Sequence, residues 1–155
     1  MSSEPTLTLR DLAYDHPLAA TLVEEIQADL TSRYGGPDET PTDPADFTPP
    51  NGVFVVASVG EENIGCGGLR RHDEAAVELK RMYVRSQHRR RGYARKLLAL
   101  LEDRAREMGA QRLLLETGDE QPEAIALYES CGYRPYPPFG YYRDEPGSRT
   151  FGKEL

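Results

Sequence analysis

The sequence has little that would build a metal site or a disulfide framework. Its 155 residues include no tryptophan, two cysteines and three histidines. Cys66 and Cys131 match no metal-ligand spacing, and the histidines are scattered along the chain. We therefore predict no metal site. So few cysteines are typical of a cytoplasmic protein, where disulfides rarely persist.

The sequence also lacks any long apolar run. No window approaches eighteen uncharged apolar residues, the length that a membrane span needs. The first ten residues carry no apolar core of the kind found in a signal peptide. We expect no membrane span and a cytoplasmic location. The length suits a single domain over residues 1–155 and is too short for two ordinary domains.

The chain also has no overall excess of basic charge, since its net charge is −7. A nucleic-acid partner is therefore disfavoured, since phosphate binding requires a net basic face. The basic residues are nevertheless concentrated in one short stretch of the chain. They are Arg81, Arg85, Arg89, Arg90, Arg91, Arg95 and Lys96. This cluster favours a small anionic ligand, and a solvated helix face is the alternative interpretation.

Hydrophobic periodicity and turn residues predict an alternating order of strands and helices. The predicted strands are Leu7–Leu12, Gly52–Val59, Ile64–Arg70, Ala76–Val84, Arg112–Glu116, Arg134–Tyr142 and Arg149–Glu154. The predicted helices are His16–Arg33, with Asp15 as its N-cap, Ala94–Met108 and Gln121–Ser130. This order indicates a mixed α/β sheet with helices on both faces. The segment from the fourth strand to the fifth should form a right-handed parallel crossover.

A proline-rich segment, residues 36–51, separates the first helix from the second strand. It holds five prolines and four acidic residues, which is a loop composition. Long loops inside compact domains are often functional, and a plain connector is the alternative.

The most informative stretch is Glu78–Ala94, where a strand ends, a basic loop follows and a helix opens at Gly92-Tyr93. The first N–H groups of a helix have no internal partner and lie at the positive end of its dipole. Such groups bind anions, and Gly92 lets the backbone approach a ligand closely. A P-loop would need Gly-Lys-Ser/Thr here and a dinucleotide loop three glycines, and the sequence has neither.

The apolar alternation changes parity within the fourth strand. Val77 and Leu79 share one parity, whereas Met82 and Val84 share the other. A one-residue slip near Lys80–Arg81 would return all four side chains to one face, and such a slip is a β-bulge. A strand buried on both faces is the alternative.

The motif Arg89-x-x-Gly92-x-Ala94 resembles the acyl-CoA signature of the GNAT superfamily of N-acetyltransferases. The resemblance covers residues 52–142 well and the first helix loosely. It implies a GNAT-like, mixed and mostly antiparallel sheet of six to seven strands, with acetyl-CoA as cosubstrate. It also implies a bulged fourth strand, splayed from its neighbour, whose backbone pairs with the pantetheine arm. The cofactor-binding residues implied are Met82, Tyr83, Val84, Arg89, Arg90, Arg91, Gly92, Tyr93, Ala94 and Gln121.

A second motif runs from Gln121 through Ala124 and Tyr128 to Gly132-Tyr133. It resembles the family motif whose tyrosine directs its hydroxyl at the coenzyme sulfur. Tyr128 is thus the candidate general acid, since a phenol can protonate a departing thiolate. An ordinary core aromatic is the alternative. Gln121 departs from the usual asparagine, which puts its contact with the pantetheine in question.

Glu78 is the first candidate for the general base. It lies fourteen residues before Gly92, a spacing that resembles the histone-acetylating branch of the family. A glutamate within an apolar strand is also costly unless it is exposed or functional. The alternatives are an outward-facing charge, Glu116 on the next strand, or a water relay. Cys131 has no histidine nearby in the sequence, so direct transfer in a ternary complex is the expected route.

The acceptor is the least defined part of the prediction. By resemblance, Ile26–Tyr34, the proline-rich loop and Pro137–Asp144 wall its pocket. The aromatic candidates for that pocket are Tyr34, Phe47, Phe139, Tyr141 and Tyr142. The arginines that could instead bind an acceptor carboxylate are Arg70, Arg81 and Arg143. We expect a small-molecule primary amine. The alternatives are a protein N-terminal or lysine acceptor, or a non-catalytic acyl-CoA-binding module. A homodimer is compatible with the family.

Overall fold

Seven strands and three helices follow one another along residues 6–155, the part of the chain that the computed structural model describes. The strands are β1 (Leu7–Asp11), β2 (Gly52–Val59), β3 (Glu62–Arg71), β4 (Ala76–Val84), β5 (Arg112–Gly118), β6 (Arg134–Pro135) and β7 (Ser148–Glu154). The helices are α1 (Pro17–Tyr34), α2 (Tyr93–Glu107) and α3 (Pro122–Ser130). The predicted order of elements is confirmed.

All seven strands form one sheet in the order β1-β2-β3-β4-β5-β7-β6. Only β4 and β5 pair in parallel, and α2 connects them. Every other neighbouring pair is antiparallel. The mixed, mostly antiparallel sheet and the parallel crossover are therefore both confirmed.

The alternating side chains of β2 show how the sheet divides the core. Val53 and Val55 belong to a cluster with α2 and α3, whereas Phe54 and Val56 belong to a cluster with α1. Strand residues alternate faces, so one apolar strand serves both clusters. The helices thus cover both faces of the sheet, as predicted.

Helix α1 begins one residue later than predicted. His16, not Asp15, is its N-cap, and its Nδ1 accepts a hydrogen bond from the Leu18 N–H at 3.0 Å. The reason is Pro17, which occupies the first turn and restricts the residue before it to extended backbone. His16 has that conformation, with φ −64° and ψ 142°.

The predicted strand Arg134–Tyr142 is wrong beyond its first two residues. Only Arg134 and Pro135 pair with β7. Pro135, Pro137 and Pro138 have no N–H to donate to a ladder, so a long strand cannot form here. The chain instead turns, with the Arg143 N–H bonded to the Gly140 carbonyl at 3.1 Å.

The predicted β-bulge in β4 is confirmed. Cys66 is opposite Tyr83 and Gly68 is opposite Lys80, so β4 has one residue more than β3 between these pairs. Arg81 lies at this point with a left-handed φ of 59°. Its carbonyl accepts a hydrogen bond from the Cys66 Sγ at 3.3 Å. The bulge is therefore held from the neighbouring strand.

Strands β4 and β5 separate just before the bulge. They pair only from Ala76 to Leu79 on β4, opposite Arg112 to Leu115 on β5. Beyond Leu79 the two strands no longer share a ladder, which opens the sheet at its centre. Residues 6–155 contain no helix that is long and apolar enough to cross a bilayer, and no cluster of three metal-ligating side chains.

Candidate active site

A cleft of about 540 Å³ occupies the gap between β4 and β5. Its walls come from both strands, from the facing ends of α1 and α3, and from two loops. The residues used below that line it are Tyr34, Asp38, Lys80, Arg81, Met82, Glu116, Gln121, Tyr128 and Tyr142. Segments that are distant in sequence, including the second predicted motif, thus meet around one cavity.

The N-terminus of α2 presents a row of unused backbone N–H groups. Within residues 6–155, no backbone hydrogen bond starts from the N–H of any residue from 90 to 95, and the first helical bond runs from Lys96 N to the Gly92 carbonyl at 3.2 Å. Gly92 is the N-cap, with φ 78° and no side-chain cap. We call residues 90–95 the amide cradle. Successive free N–H groups at a helix N-terminus suit an anion such as a diphosphate.

Glycine at position 92 is required for its backbone and leaves room for a ligand. A left-handed φ is unfavourable for a residue with a side chain. A Cβ built on Gly92 would meet no protein atom within 4 Å. The space in front of the amide cradle is thus open.

The three arginines of the basic loop differ in their partners. Arg89 donates from Nε to the Val84 carbonyl at 2.9 Å, and its guanidinium lies 5.5 Å from the centre of the Tyr83 ring. Arg89 therefore ties the loop to the end of β4. Arg90 and Arg91 are exposed and form no side-chain hydrogen bond or ion pair with residues 6–155. Both guanidinium groups remain available to phosphate oxygens.

The remaining predicted cofactor-binding residues lie at the end of β4, at the start of α2 and just before α3. Tyr83 and Val84 pair with β3, whereas Met82 lines the cleft at the bulge. Tyr93 and Ala94 open α2 and are partly buried. Gln121 precedes α3, and its Nε2 donates to the Tyr34 hydroxyl at 3.3 Å.

Tyr128 lines the cleft from α3. It is 9% exposed and packs edge-to-face with Tyr133 at 5.7 Å between ring centres. Its hydroxyl forms no hydrogen bond with any residue that the structure describes. Burial, with a smaller effect of Cys131, raises the pKa of Tyr128 to about 12. The phenol therefore keeps its proton at neutral pH, as a general acid must.

Glu116 lines the cleft from the end of β5. Its Oε2 is buried and accepts no hydrogen bond from residues 6–155. Burial raises the pKa of this carboxyl above the ordinary glutamate value, and the charge of Glu78 adds to the increase, while Lys80 opposes it. A carboxylate whose pKa is moved toward neutrality and whose oxygen is unpartnered can accept a proton.

Glu78 is engaged elsewhere. Its side chain is 7% exposed and its Oε1 accepts from the Arg70 Nε at 2.8 Å. Arg70 also contacts Asp46 Oδ2 at 3.3 Å and the Pro41 carbonyl at 3.1 Å. Glu78 is thus neither outward-facing nor a residue that lines the cleft.

The aromatic candidates for the acceptor pocket separate into two groups. Tyr34 and Tyr142 line the cleft. The others do not: Phe47 stacks on Tyr14 at 4.6 Å, Phe139 contacts His72 at 4.8 Å and Tyr141 is exposed. The prediction was wrong for these three residues, since Phe47 is needed in the α1 core and the turn after β6 directs only Tyr142 inward.

The sequence analysis gave no role to Asp38, which forms a charge cluster with two residues of β4. Its Oδ2 lies 2.7 Å from Arg81 Nη1 and 3.6 Å from Lys80 Nζ. Its Oδ1 accepts from the N–H and the hydroxyl of Thr40. Although burial opposes it, the combined effect of Lys80, Thr40 and Arg81 lowers the pKa of Asp38. Only the composition of the proline-rich loop hinted at a functional residue here.

The fold and the site together define a class of protein: acyl-CoA-dependent acyltransferases with an amide cradle at a helix N-terminus and a cleft between splayed parallel strands. Comparisons with known proteins agree. The acetyltransferase (GNAT) family profile matches residues 20–133. An IAA acetyltransferase of Azospirillum brasilense is 34% identical over 148 residues, which cover 93% of this chain and 97% of that protein.

Solved structures show the same architecture. A Klebsiella pneumoniae protein assigned as an acyl-CoA N-acyltransferase superposes with a TM-score of 0.81 and 31% identity, over 96% of this chain and 97% of that one. A GNAT family acetyltransferase from Elizabethkingia anophelis, solved with acetyl-CoA bound, shares the fold with a TM-score of 0.71 at 18% identity, over 96% and 98% of the two chains.

The chain therefore belongs to the GNAT acetyltransferase family. It is an acetyl-CoA-dependent N-acetyltransferase, which decides against a non-catalytic binding module.

Proposed function

We propose that this enzyme transfers the acetyl group of acetyl-CoA directly to a primary amine of a small molecule, with both substrates bound together. The observation that carries the proposal is one cleft bordered by a phenol hydroxyl and by a residue with a carboxylate oxygen, neither of which has a hydrogen-bond partner among residues 6–155. Tyr128 brings a protonated hydroxyl, and Glu116 brings a carboxylate oxygen without a hydrogen-bond donor. When bound, acetyl-CoA supplies the activated acetyl thioester.

The residues that would hold acetyl-CoA fit its chemistry. The amide cradle and the side chains of Arg90 and Arg91 match a diphosphate in charge and in hydrogen-bond donors. The part of β4 beyond Leu79 has no partner on β5, so backbone groups around Met82 are available to an amide-bearing arm. Gln121, just before α3, and Tyr128 on α3 also line the cleft. We propose that the cofactor extends from the cradle to these residues.

Glu116 is the better candidate for the general base. An alkylamine is mostly protonated at neutral pH, and only the neutral amine is a nucleophile. Glu116 lines the cleft and its Oε2 has no hydrogen-bond partner among residues 6–155, whereas Glu78 is held by Arg70. We assign Glu78 a supporting part, since its negative charge raises the pKa of Glu116.

Tyr128 is proposed as the general acid, in agreement with the sequence motif. Its pKa of about 12 keeps the proton on the phenol at neutral pH, so the hydroxyl is present as a hydrogen-bond and proton donor when the thiolate departs. The buried ring fixes the direction of the hydroxyl by its packing on Tyr133.

A small acceptor agrees with the dimensions of the site. The cleft is bordered by Tyr34 from α1 and Tyr142 from the turn after β6. Tyr142 is tied to the proline-rich loop, because its hydroxyl accepts the Glu39 N–H at 2.6 Å. One relative, an IAA acetyltransferase, is named for a compound, which agrees with a small acceptor.

The proposal is tested by measuring CoA release from acetyl-CoA with a panel of small amines. Calorimetric titration with CoA gives a separate measure of cosubstrate binding. We expect CoA binding and acetylation of at least one group of small amines. CoA binding without any transfer across the panel would contradict the proposed function.

A further inference from the structure

Arg81 lies at the bulge of β4, where the strand leaves its partner β5. Its side chain is 4% exposed and belongs to the wall of the cleft. The bulge gives Arg81 a left-handed backbone, and the Cys66 thiol holds its carbonyl. The position of this guanidinium is therefore fixed by the backbone of the sheet.

The guanidinium uses only part of its hydrogen-bonding capacity. Nη1 donates to Asp38 Oδ2 at 2.7 Å. Nε is buried and donates to no acceptor within residues 6–155, and Nη2 has no hydrogen bond to these residues either. A buried donor without a partner is costly and rare. The Nε and Nη2 donors lie side by side and parallel, which is the geometry that a carboxylate accepts with both oxygens.

Asp38 does not accept hydrogen bonds from the Nε and Nη2 donors of Arg81. Its Oδ1 accepts both donors of Thr40, and its Oδ2 faces Arg81 Nη1 and Lys80 Nζ. The cluster thus has two buried cations for one carboxylate. Glu116 also lines the cleft, but it forms no ion pair with Lys80 or Arg81. An additional anion is the complement that the cluster lacks.

Resting on the proposed function, we infer that the acceptor is an amine that also bears a carboxylate, and that Arg81 binds this carboxylate through Nε and Nη2 while the amine faces Glu116. An amino acid or a related small amino-carboxylic acid has this chemistry. Glu116 takes one proton from the ammonium form of the acceptor, and the neutral nitrogen bonds to the acetyl carbon as the C–S bond breaks. Tyr128 gives its proton to the departing thiolate, and the second proton that the acetylated nitrogen loses restores the Tyr128 phenol.

The two other arginines considered from the sequence are excluded by their surroundings. Arg70 is engaged by Glu78, Asp46 and the Pro41 carbonyl, and it does not line the cleft. Arg143 is exposed and bonds the Gly140 carbonyl at 3.3 Å. Of the three arginines, Arg81 is therefore the candidate for binding the carboxylate because of its position in the fold.

The test compares matched acceptors, each amino acid against its amide, with wild-type enzyme, Arg81→Gln and the control Arg143→Gln. The quantity of interest is the ratio of kcat/KM for the acid to that for the amide. We expect Arg81→Gln to lower this ratio roughly tenfold to hundredfold, the range of a charge-assisted bidentate contact. Arg143→Gln should leave the ratio unchanged, and the Kd for CoA should be the same in all three proteins.

A second measurement uses the wild-type enzyme alone, so it does not depend on the stability of the variant. Carboxylic acids that match the best acceptor but lack the amine should inhibit competitively against the acceptor, and their amides should not. Equal inhibition by acids and amides would overturn the inference. The inference would also be overturned if Arg81→Gln changed the affinity for CoA and left the acid-to-amide ratio unchanged.

The outcomes separate this inference from the proposed function. Transfer to amines without preference for the acids removes the carboxylate site and leaves the acetyltransferase assignment to small amines intact. Binding of CoA without transfer to any acceptor overturns both.

Discussion

Burial determines both the packing and the pKa of Tyr128. The same burial that makes it a core residue raises its pKa to about 12, and its hydroxyl lacks a partner among residues 6–155. The core position of this tyrosine is therefore compatible with its proposed role as the acid. Its ring packs in the core, and its oxygen is left for the cleft.

We predict that Tyr128→Phe lowers kcat roughly 10²-fold, the lower end of the contribution of a positioned general acid. The Kd for CoA should stay within a factor of two or so, because the ring and its packing are retained. Steady-state kinetics and calorimetry measure the two quantities. Tyr136→Phe is the matched control, since Tyr136 bonds Arg112 away from the cleft. Full activity in Tyr128→Phe would remove Tyr128 from the mechanism.

The ionisation of Glu116 should determine the acidic limb of the pH dependence of kcat/KM. Its pKa is raised in the folded protein, so it becomes the required carboxylate only at a pH above the ordinary glutamate range. We expect kcat/KM to rise with pH through this raised pKa. Glu116→Gln should lose that limb together with roughly 10²-fold in rate at neutral pH.

The comparison variant is Glu78→Gln. By removing a negative neighbour it should move the acidic limb to lower pH and leave the limb itself present. A pH–rate profile measured for both variants distinguishes the two glutamates. Loss of the limb in Glu78→Gln, with the limb retained in Glu116→Gln, would return the role of base to Glu78.

At the scale of elements, the start of α2 is the proposed diphosphate site, where the unused donors of the cradle are backbone N–H groups. Gly92→Val should weaken CoA binding at least tenfold, because the side chain fills the open space before the cradle and disfavours the left-handed φ. Calorimetric titration measures the affinity.

Gly109 offers a matched control at the other end of the same helix. Its φ is 83°, and a Cβ built on it would also meet no atom within 4 Å. Gly109→Val should therefore cost similar backbone strain, about 1–2 kcal/mol, with no loss of affinity for CoA. Equal loss of affinity in both variants would mean that strain, and not the cradle, explains the effect.

Strands β4 and β6 show which features of the fold could be predicted from the sequence. The bulge of β4 was visible because Leu79 and Met82 break a strict two-residue alternation, which is a local signal. The extent of β6 was not predicted, since aromatic residues after Arg134 favour a strand while Pro137 and Pro138 prevent one.

The site was harder to predict than the fold because its contacts are distant in sequence. Glu78 and Glu116 are both acidic residues on central strands, and only the position of Arg70 decides which of them is free. Asp38 meets Arg81 across 43 residues of chain, a contact that no spacing rule predicts. The cradle was predictable because it is formed by consecutive residues.

For the whole molecule, a sheet with apolar clusters on both faces should unfold as one unit. Leu101, on the α2 face, and Leu22, on the α1 face, are both fully buried. We expect either leucine, changed to alanine, to lower the free energy of unfolding by about 2–5 kcal/mol. Urea unfolding followed by two probes should give coincident transitions, and separate transitions would contradict a single cooperative unit.

The same experiment links binding to stability. CoA at a hundredfold excess over its Kd should add about 2.7 kcal/mol to the free energy of unfolding of the wild type and of Leu101→Ala. In Gly92→Val the same concentration of CoA should add less, because its affinity is reduced. An equal gain in all three proteins would place CoA away from the cradle.

The two parts of the proposed site are built from different kinds of structure. The proposed diphosphate site consists of main-chain groups whose positions depend on a strand, a turn and a helix, whereas Asp38 and Tyr142 reach the cleft from connecting segments. Connecting segments tolerate substitution better than packed elements do. Acceptor preference can therefore diverge between related enzymes by replacement of a few loop side chains, while the use of acetyl-CoA is inherited unchanged.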